Sequence, residues 1–248
     1  MRKISSIILF VYALLMFFLI MLIVLPFILL GATFLKDKIA TNFIFFFLRL
    51  WGSTLLLVTG YKVEIIGHEK IKNTSPVIFV SNHNSYLDSP AVVVSTPHAV
   101  KPLGKIEMVK VPIFGLIYKK YVVLIDRSSP ESRAKSVAEM KIQLSKGISM
   151  LIFPEGKMNK GKLPLNEFYD GAFRIGIEMQ TPIVPMVIIN ARNLLSRNDP
   201  FGIKTGKITC IFSEPIETKD YSISQIVELK EKVFKVMETL ILENETLN

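Results

Sequence analysis

The sequence predicts an α/β domain with a mainly parallel sheet, preceded by a hydrophobic membrane anchor. Beyond residue 60, short β-branched runs alternate with segments of helical periodicity, which is typical of strands joined by crossover helices. Before it, residues 4–35 contain no charged side chain. Residues 81–88 carry a histidine and an aspartate directly after the apolar run 76–80, where α/β proteins often place functional groups.

Composition agrees with membrane contact. The chain has 248 residues, enough for one full-sized domain and a small appendage, and half of them are hydrophobic, with a mean hydropathy of +0.42. The net charge of +9 indicates a partner with negative charge, such as phospholipid headgroups, a phosphorylated substrate or an acidic carrier protein. Nucleic acid is not expected, because the basic residues are dispersed and match no zinc, RNA-binding or recognition-helix pattern.

The first apolar segment is long enough to cross a bilayer. As a helix, residues 4–25 would span about 30 Å of hydrocarbon, and Pro26 is expected to kink or end it. A signal peptide is the competing interpretation, but its apolar region is usually about 7–15 residues long. No small-x-small cleavage site closes a run of that size here, so we expect a retained anchor.

The second apolar segment, residues 39–60, has Arg49 in its middle and Trp51 beside it. Arginine is costly in the middle of a membrane, whereas arginine and tryptophan are favourable at the lipid–water boundary. This segment is therefore expected to lie in the interface. Residues 1–60 would form the anchor, and residues 61–248 the α/β domain.

Flanking charge leaves the topology of the anchor open. Arg2 and Lys3 precede the first segment, and Lys36 and Lys38 follow it. This near-symmetry fits either a single span or a kinked two-helix paddle that enters and leaves the same leaflet.

The remaining elements are predicted from periodicity and from helix-start signals. One such signal is Ser129-Pro130, which is typical of a helix beginning. Strands are expected at 62–66, 76–80, 121–125, 148–153, 183–190 and 207–212, and helices at 90–95, 130–146, 171–180 and 224–244.

His83 and Asp88 can form the proton-transferring half of a catalytic site. A tight turn would let the carboxylate accept a hydrogen bond from one ring nitrogen, which leaves the other nitrogen free to take a proton from a hydroxyl. The simpler interpretation is a loop histidine followed by an acidic residue at a helix start.

Four blocks in order resemble those of the glycerolipid acyltransferase family, over about residues 60–217. They are Asn82-His83-x-x-x-x-Asp88, Leu-Ile-Asp-Arg at 124–127, Phe-Pro-Glu-Gly at 153–156 and Pro-Ile-Val-Pro at 182–185. The resemblance implies a layered α/β acyltransferase domain, and leans toward the paddle form of the anchor. The last block is expected to serve packing or an acyl channel.

The resemblance also implies an activity. A fatty acyl group would pass from acyl carrier protein or a coenzyme A thioester to the sn-2 hydroxyl of 1-acylglycerol-3-phosphate, a lysophosphatidic acid, giving phosphatidic acid. The expected place is a bacterial-type cell membrane, with the catalytic domain on the cytoplasmic face. Two alternatives remain: a different lysolipid acceptor, such as an aminoacyl lysolipid, and a non-catalytic lipid-binding protein.

Direct attack by the acceptor hydroxyl is the simplest mechanism, with His83 as general base and Asp88 as its orienting group. The sequence has no Gly-x-Ser-x-Gly elbow, and Cys210 lies in an apolar run typical of core. His68 and His98 are expected to be ordinary surface or turn histidines. No catalytic metal and no resident cofactor are predicted.

The resemblance implies five substrate-binding residues. Glu155 and Gly156 would lie on the acceptor side, and Lys157 would add charge beside them. Arg127 matches a basic position of the second block, and Lys105 a basic position after the first. One position departs from the family, because Met158 stands where arginine is usual, and this leaves the phosphate-bearing acceptor in question.

Overall fold

The computed structural model describes residues 2–71 and 74–245. Its helices are α1 (Arg2–Phe34), α2 (Asp37–Val58), α3 (Asp88–Ser95), α4 (Phe114–Tyr121), α5 (Pro130–Ser145), α6 (Gly171–Glu178), α7 (Ala191–Leu194) and α8 (Ile226–Glu245). Its strands are β1 (Tyr61–Ile66), β2 (Ile78–Ser81), β3 (Val100–Lys105), β4 (Val123–Ile125), β5 (Ser149–Ile152), β6 (Ile183–Ile189) and β7 (Gly206–Phe212).

The strands form one seven-stranded sheet in the order β1-β7-β6-β2-β5-β3-β4. The five strands from β6 to β4 are parallel, whereas β7 pairs antiparallel with β6 and β1 pairs parallel with β7. The predicted α/β class with a mainly parallel sheet is therefore confirmed. Every residue of β2, β5 and β6 is buried, as expected for central parallel strands covered on both faces.

Helices cover both faces of the sheet and form two hydrophobic cores. Successive side chains of a strand point to opposite faces, so Phe79 packs with α1–α4 and Ile78 packs with α5, α6 and α8. Trp51 of α2 is buried in the same core as Phe79. The hydrophobic N-terminal helices thus contribute to the interior of the α/β domain.

The two N-terminal helices form a hairpin that lies along the domain. The Tyr12 hydroxyl donates to the Val58 carbonyl at 3.2 Å, and Phe17 meets both Trp51 and Phe114 edge-on or tilted, at centroid distances of 5.4 and 6.0 Å. Both helices are long and apolar enough to cross a membrane by length and composition. Pro26 does not end α1, which continues as a helix to Phe34.

Arg49 is directed toward the catalytic domain. Its guanidinium donates to the carbonyls of Val93 and Thr96 at the end of α3, and stands 5.0 Å from the centroid of the Phe45 ring. Burial lowers the pKa of Arg49, and these contacts compensate the buried charge. Hydrogen bonds within the protein thus satisfy the guanidinium of Arg49, which was expected to lie at the lipid–water boundary.

Some elements differ from the predicted ones. Helix α3 begins at Asp88, two residues before the predicted start, and Tyr121 ends α4 instead of beginning a strand. Strand β3 and helix α4 were not predicted. The predicted helices at 130–146, 171–180 and 224–244 are present within two residues at each end.

Candidate active site

Four parallel strands bring distant parts of the chain to one edge of the sheet. In the order β2-β5-β3-β4, their carboxyl ends lead to His83, Glu155, Lys105 and Arg127, of which Lys105 is the last residue of β3. Neighbouring strands lie about 4.8 Å apart, so the four side chains start from a row no more than about 15 Å long. This edge is the usual location of ligand sites in open α/β sheets.

His83 and Asp88 form the predicted pair. His83 Nδ1 lies 2.8 Å from Asp88 Oδ2, and the same oxygen accepts the backbone N–H groups of Asn84 at 2.7 Å and Ser85 at 2.8 Å. The Asp88 side chain is fully buried at the first residue of α3, where the helix dipole favours a negative charge. The carboxylate therefore fixes both the loop and the tautomer of His83, with the proton on Nδ1.

The second ring nitrogen of His83, Nε2, is accessible to a substrate. Among the described residues none hydrogen-bonds to His83 Nε2, and the His83 side chain is 18% exposed. The Phe153 ring stacks on the imidazole with a centroid distance of 4.2 Å and an interplanar angle of 23°. Stacking and the Asp88 contact together hold the ring so that Nε2 can accept a proton from a hydroxyl.

Glu155 is buried and joins two loops. Its Oε1 accepts the backbone N–H of His83 at 3.0 Å, and its Oε2 accepts that of Asn166 at 2.9 Å. Only 1% of the residue is exposed, and burial raises the pKa of the carboxyl above its usual range. The geometry thus gives Glu155 a positioning role beside His83, and a direct contact with the acceptor stays a prediction.

Two asparagines that were not predicted complete the support of the His83 loop. Asn159 donates its backbone N–H to the His83 carbonyl at 2.6 Å. The Asn82 amide bonds both backbone groups of Ile188, donating to the carbonyl at 3.0 Å and accepting the N–H at 2.7 Å. Both asparagines are about 2% exposed, and their partners are far away in sequence, which is why no local pattern revealed them.

The three basic residues predicted to bind substrate differ in the contacts that their side chains make. Gly156 has a φ of +69°. A Cβ atom added at Gly156 would lie 3.1 Å from Arg127 Nη1, so Arg127 lies directly beside the Glu155 loop. Lys105 forms an exposed ion pair with Glu107 at 2.8 Å. Lys157 is exposed, and among the described residues no carboxylate pairs with it. Of the three, Arg127 is the one with a contact to the Glu155 loop that the structure fixes.

The cysteine and the two remaining histidines are not part of the pair formed by His83 and Asp88. Cys210 is fully buried in β7, and burial raises the pKa of its thiol to about 12, which suits core filling. His68 lies in a short 3-10 helix after β1, and His98 in the bend before β3. Within residues 2–71 and 74–245, no group of three or more His, Cys, Asp or Glu side chains could hold a metal ion.

Comparison with known proteins gives a consistent result. The sequence model of a family described as Acyltransferase matches residues 62–189. A 1-acyl-sn-glycerol-3-phosphate acyltransferase of Limnanthes alba is 30% identical over 71% of this chain and 62% of its own length. A protein of the same description from Haemophilus influenzae is 26% identical over 78% of this chain and 80% of its own. The chain thus spans less than two thirds of the Limnanthes relative.

A solved structure shares the fold over nearly its whole length. The crystal structure of the 1-acyl-sn-glycerophosphate acyltransferase from Thermotoga maritima aligns with a TM-score of 0.79 and 21% sequence identity. The alignment covers 98% of this chain and 97% of the other. The architecture described above, with its N-terminal helices, is therefore the architecture of that protein.

Proposed function

This chain belongs to the Acyltransferase family, and we propose that it transfers a fatty acyl group to the sn-2 hydroxyl of 1-acylglycerol-3-phosphate, forming phosphatidic acid. The observation that carries the proposal is the buried Asp88 carboxylate 2.8 Å from His83 Nδ1, at the edge of the sheet, while no described residue hydrogen-bonds to Nε2. A protein that only binds lipid has no need of a base held in one tautomer. The named relatives support the choice of acceptor.

The proposed reaction needs no covalent enzyme intermediate. His83 Nε2 takes the proton of the acceptor hydroxyl, and the hydroxyl oxygen attacks the thioester carbonyl. The tetrahedral intermediate then expels the thiolate as the C–S bond breaks, and the thiolate takes the proton from the imidazolium. Asp88 stabilises the transient positive charge on His83 throughout, and Arg127, Lys105 and Lys157 are proposed to hold phosphate oxygens.

The donor is proposed to be acyl carrier protein or a coenzyme A thioester. Both carry negative charge, which fits the net charge of +9. Both are also soluble cytoplasmic molecules, so the catalytic domain is proposed to face the cytoplasm.

We place the α1–α2 hairpin within one leaflet of the membrane. Along α1, apolar side chains at spacings of three or four residues remain exposed while the opposite side packs on α2 and α4; they include Ile4, Ile8, Val11, Leu15 and Leu19. A helix that is apolar on its outer side and docked along its length favours burial in the interface over a free span. This position would bring the lysolipid acceptor to His83 without crossing water.

A second acceptor class is favoured by one observation. Met158, which follows the Glu155 loop, cannot bind phosphate, so a lysolipid without a phosphate monoester, such as an aminoacyl lysolipid, is the alternative.

The test is acyl transfer from a labelled donor in detergent or liposomes, with lysophosphatidic acid and an uncharged lysolipid as parallel acceptors. We expect the native protein to prefer lysophosphatidic acid, and His83→Ala to lose activity by about 10²-fold or more because the general base is removed. Preference for the uncharged lysolipid would favour the alternative acceptor. Activity that survives in His83→Ala would exclude the general-base mechanism.

A further inference from the structure

The segment that follows α7 lies directly against the catalytic loop. Ser196 forms an isolated antiparallel bridge with Ser85, and the Ser85 hydroxyl donates to the Leu195 carbonyl at 2.7 Å. Ser85 is also one of the residues whose backbone N–H binds the Asp88 carboxylate. The residue after Ser196 therefore starts from a point fixed relative to the His83–Asp88 pair.

That next residue, Arg197, carries its charge to the place where the chain has Met158. Arg197 Nη1 lies 3.5 Å from Met158 Sδ, and Met158 directly precedes Asn159, whose N–H binds the His83 carbonyl. Arg197 is exposed, and no carboxylate of the described residues forms a salt bridge with it. Its guanidinium thus remains available for an anion that approaches His83.

The segment after α7 also contacts the α1–α2 hairpin. Phe201 meets Phe10 of α1 edge-on at a centroid distance of 5.0 Å, and Phe201 is 53% exposed. The Asn198 side chain donates to the Lys160 carbonyl at 3.3 Å, which ties the segment to the loop after Glu155. The segment that carries Arg197 therefore contacts the His83 loop through Leu195 and Ser196 and contacts α1 through Phe201, which is the side from which a lipid acceptor would arrive.

We propose that Arg197 binds the phosphate monoester of the acceptor lysolipid beside Arg127, Lys105 and Lys157, and so supplies the guanidinium that is missing at Met158. The proposal rests on the acyltransferase function proposed above. A planar guanidinium can bind two phosphate oxygens at once, whereas the neighbouring Lys157 offers a point charge. The acyl donor also carries phosphate, but the contact between Phe201 and α1 favours the acceptor.

The experiment compares three variants with the native protein, using 1-acylglycerol-3-phosphate and 1-acylglycerol as acceptors and one fixed acyl donor. The variants are Arg197→Ala, Arg174→Ala and the double variant Arg197→Ala with Met158→Arg. Arg174→Ala is the matched control because it removes an exposed arginine from α6, on the opposite side of the sheet. The measured quantity is the ratio of kcat/KM for the two acceptors, in which any loss of folded protein cancels.

We expect Arg197→Ala to lower this ratio about 10- to 100-fold, mainly through a higher KM for the phosphate acceptor, as loss of a charged hydrogen-bond partner predicts. Arg174→Ala should keep the native ratio, and Met158→Arg should recover much of the loss by returning a guanidinium to the same place. An Arg197→Ala ratio equal to the control overturns the inference, as does a rise in the donor KM alone. If the native protein acylates neither acceptor nor any other lysolipid, the proposed function fails first.

Discussion

At the scale of single residues, Asp88 is the group on which the site depends most. One of its oxygens accepts three hydrogen bonds, from His83 and from the backbone of Asn84 and Ser85. The spacing of His83 and Asp88 predicted the first of these contacts, because a tight turn closes five residues. It did not predict the two backbone contacts, which depend on the conformation of the loop.

Asp88→Asn tests the orienting role. An amide at this position either presents an NH2 group to donors or forces His83 into the wrong tautomer, so we expect kcat to fall by about 10²- to 10⁴-fold with little change in KM. Acyl transfer kinetics with lysophosphatidic acid, alongside thermal unfolding in detergent, would measure this. A native kcat in a folded variant would show that His83 does not need the carboxylate.

His98 provides a pH-dependent prediction for stability. Burial lowers the pKa of its imidazole to about 4, and Nε2 lies 2.8 Å from the Ser149 hydroxyl. A histidine whose folded pKa is depressed contributes stability above its unfolded pKa of about 6.5, and this stability is lost as pH falls toward 4.

We therefore expect the thermal midpoint of the native protein to fall more between pH 7 and pH 5 than that of His98→Gln. The difference should correspond to about 1 kcal/mol after allowance for partial exposure. Equal losses in the two proteins would contradict neutral burial of His98.

At the scale of elements, the strands that are buried on both faces were the most predictable. The strands β2, β5 and β6 consist almost entirely of apolar residues, and their positions agree with prediction to within about two residues. Strand β3 was missed because its sequence, Val-Lys-Pro-Leu-Gly-Lys, contains proline and glycine, which are rare in strands. The helix α4 has only eight residues, and its last residue, Tyr121, is also the first residue of the apolar run at 121–125.

The sequence predicted the positions of the loops between these elements, but it did not predict which residues the loops contact. The Glu155 loop was expected at a strand end, yet nothing local indicated that its carboxylate would be buried against His83, 72 residues away. No local pattern indicated a role for Arg197 either, because that role depends on its contact with Met158, 39 residues earlier. Side-chain contacts that join distant loops require the strand order, which the sequence did not specify.

Glu155→Gln tests whether this inter-loop contact supports catalysis. Each carboxylate oxygen accepts one backbone N–H, and an amide would direct its own NH2 against one of them. We expect kcat to fall about tenfold or more and the thermal midpoint to fall as well, measured in the same assays. Glu214→Gln is the control because that side chain is 70% exposed, and equal behaviour of the two variants would show that the contact is dispensable.

At the scale of the whole molecule, the hairpin α1–α2 connects membrane attachment with the catalytic core. Val11, Leu15 and Leu19 are 58%, 59% and 48% exposed on the outer side of α1. Replacing all three by serine should weaken binding to vesicles of anionic phospholipid by about 3 kcal/mol or more, roughly a hundredfold in partitioning.

Vesicle flotation would measure this loss, with acyl transfer to a detergent-solubilised acceptor as a check on the active site. The control replaces Val227 and Leu242 of α8 by serine, since these side chains are similarly exposed on the other side of the sheet. Equal flotation of the two variants would contradict the proposed leaflet-facing surface.

The contact between Asn82 and Ile188 has a consequence for how the enzyme becomes active during folding. It joins residues 106 positions apart, so the loop that holds His83 cannot reach its final shape before β6 has paired with β2. Such long-range closure is slow compared with helix formation. Recovery of acyl transfer during refolding should therefore lag behind recovery of helical circular dichroism, which makes catalysis a sensitive reporter of the last step of assembly.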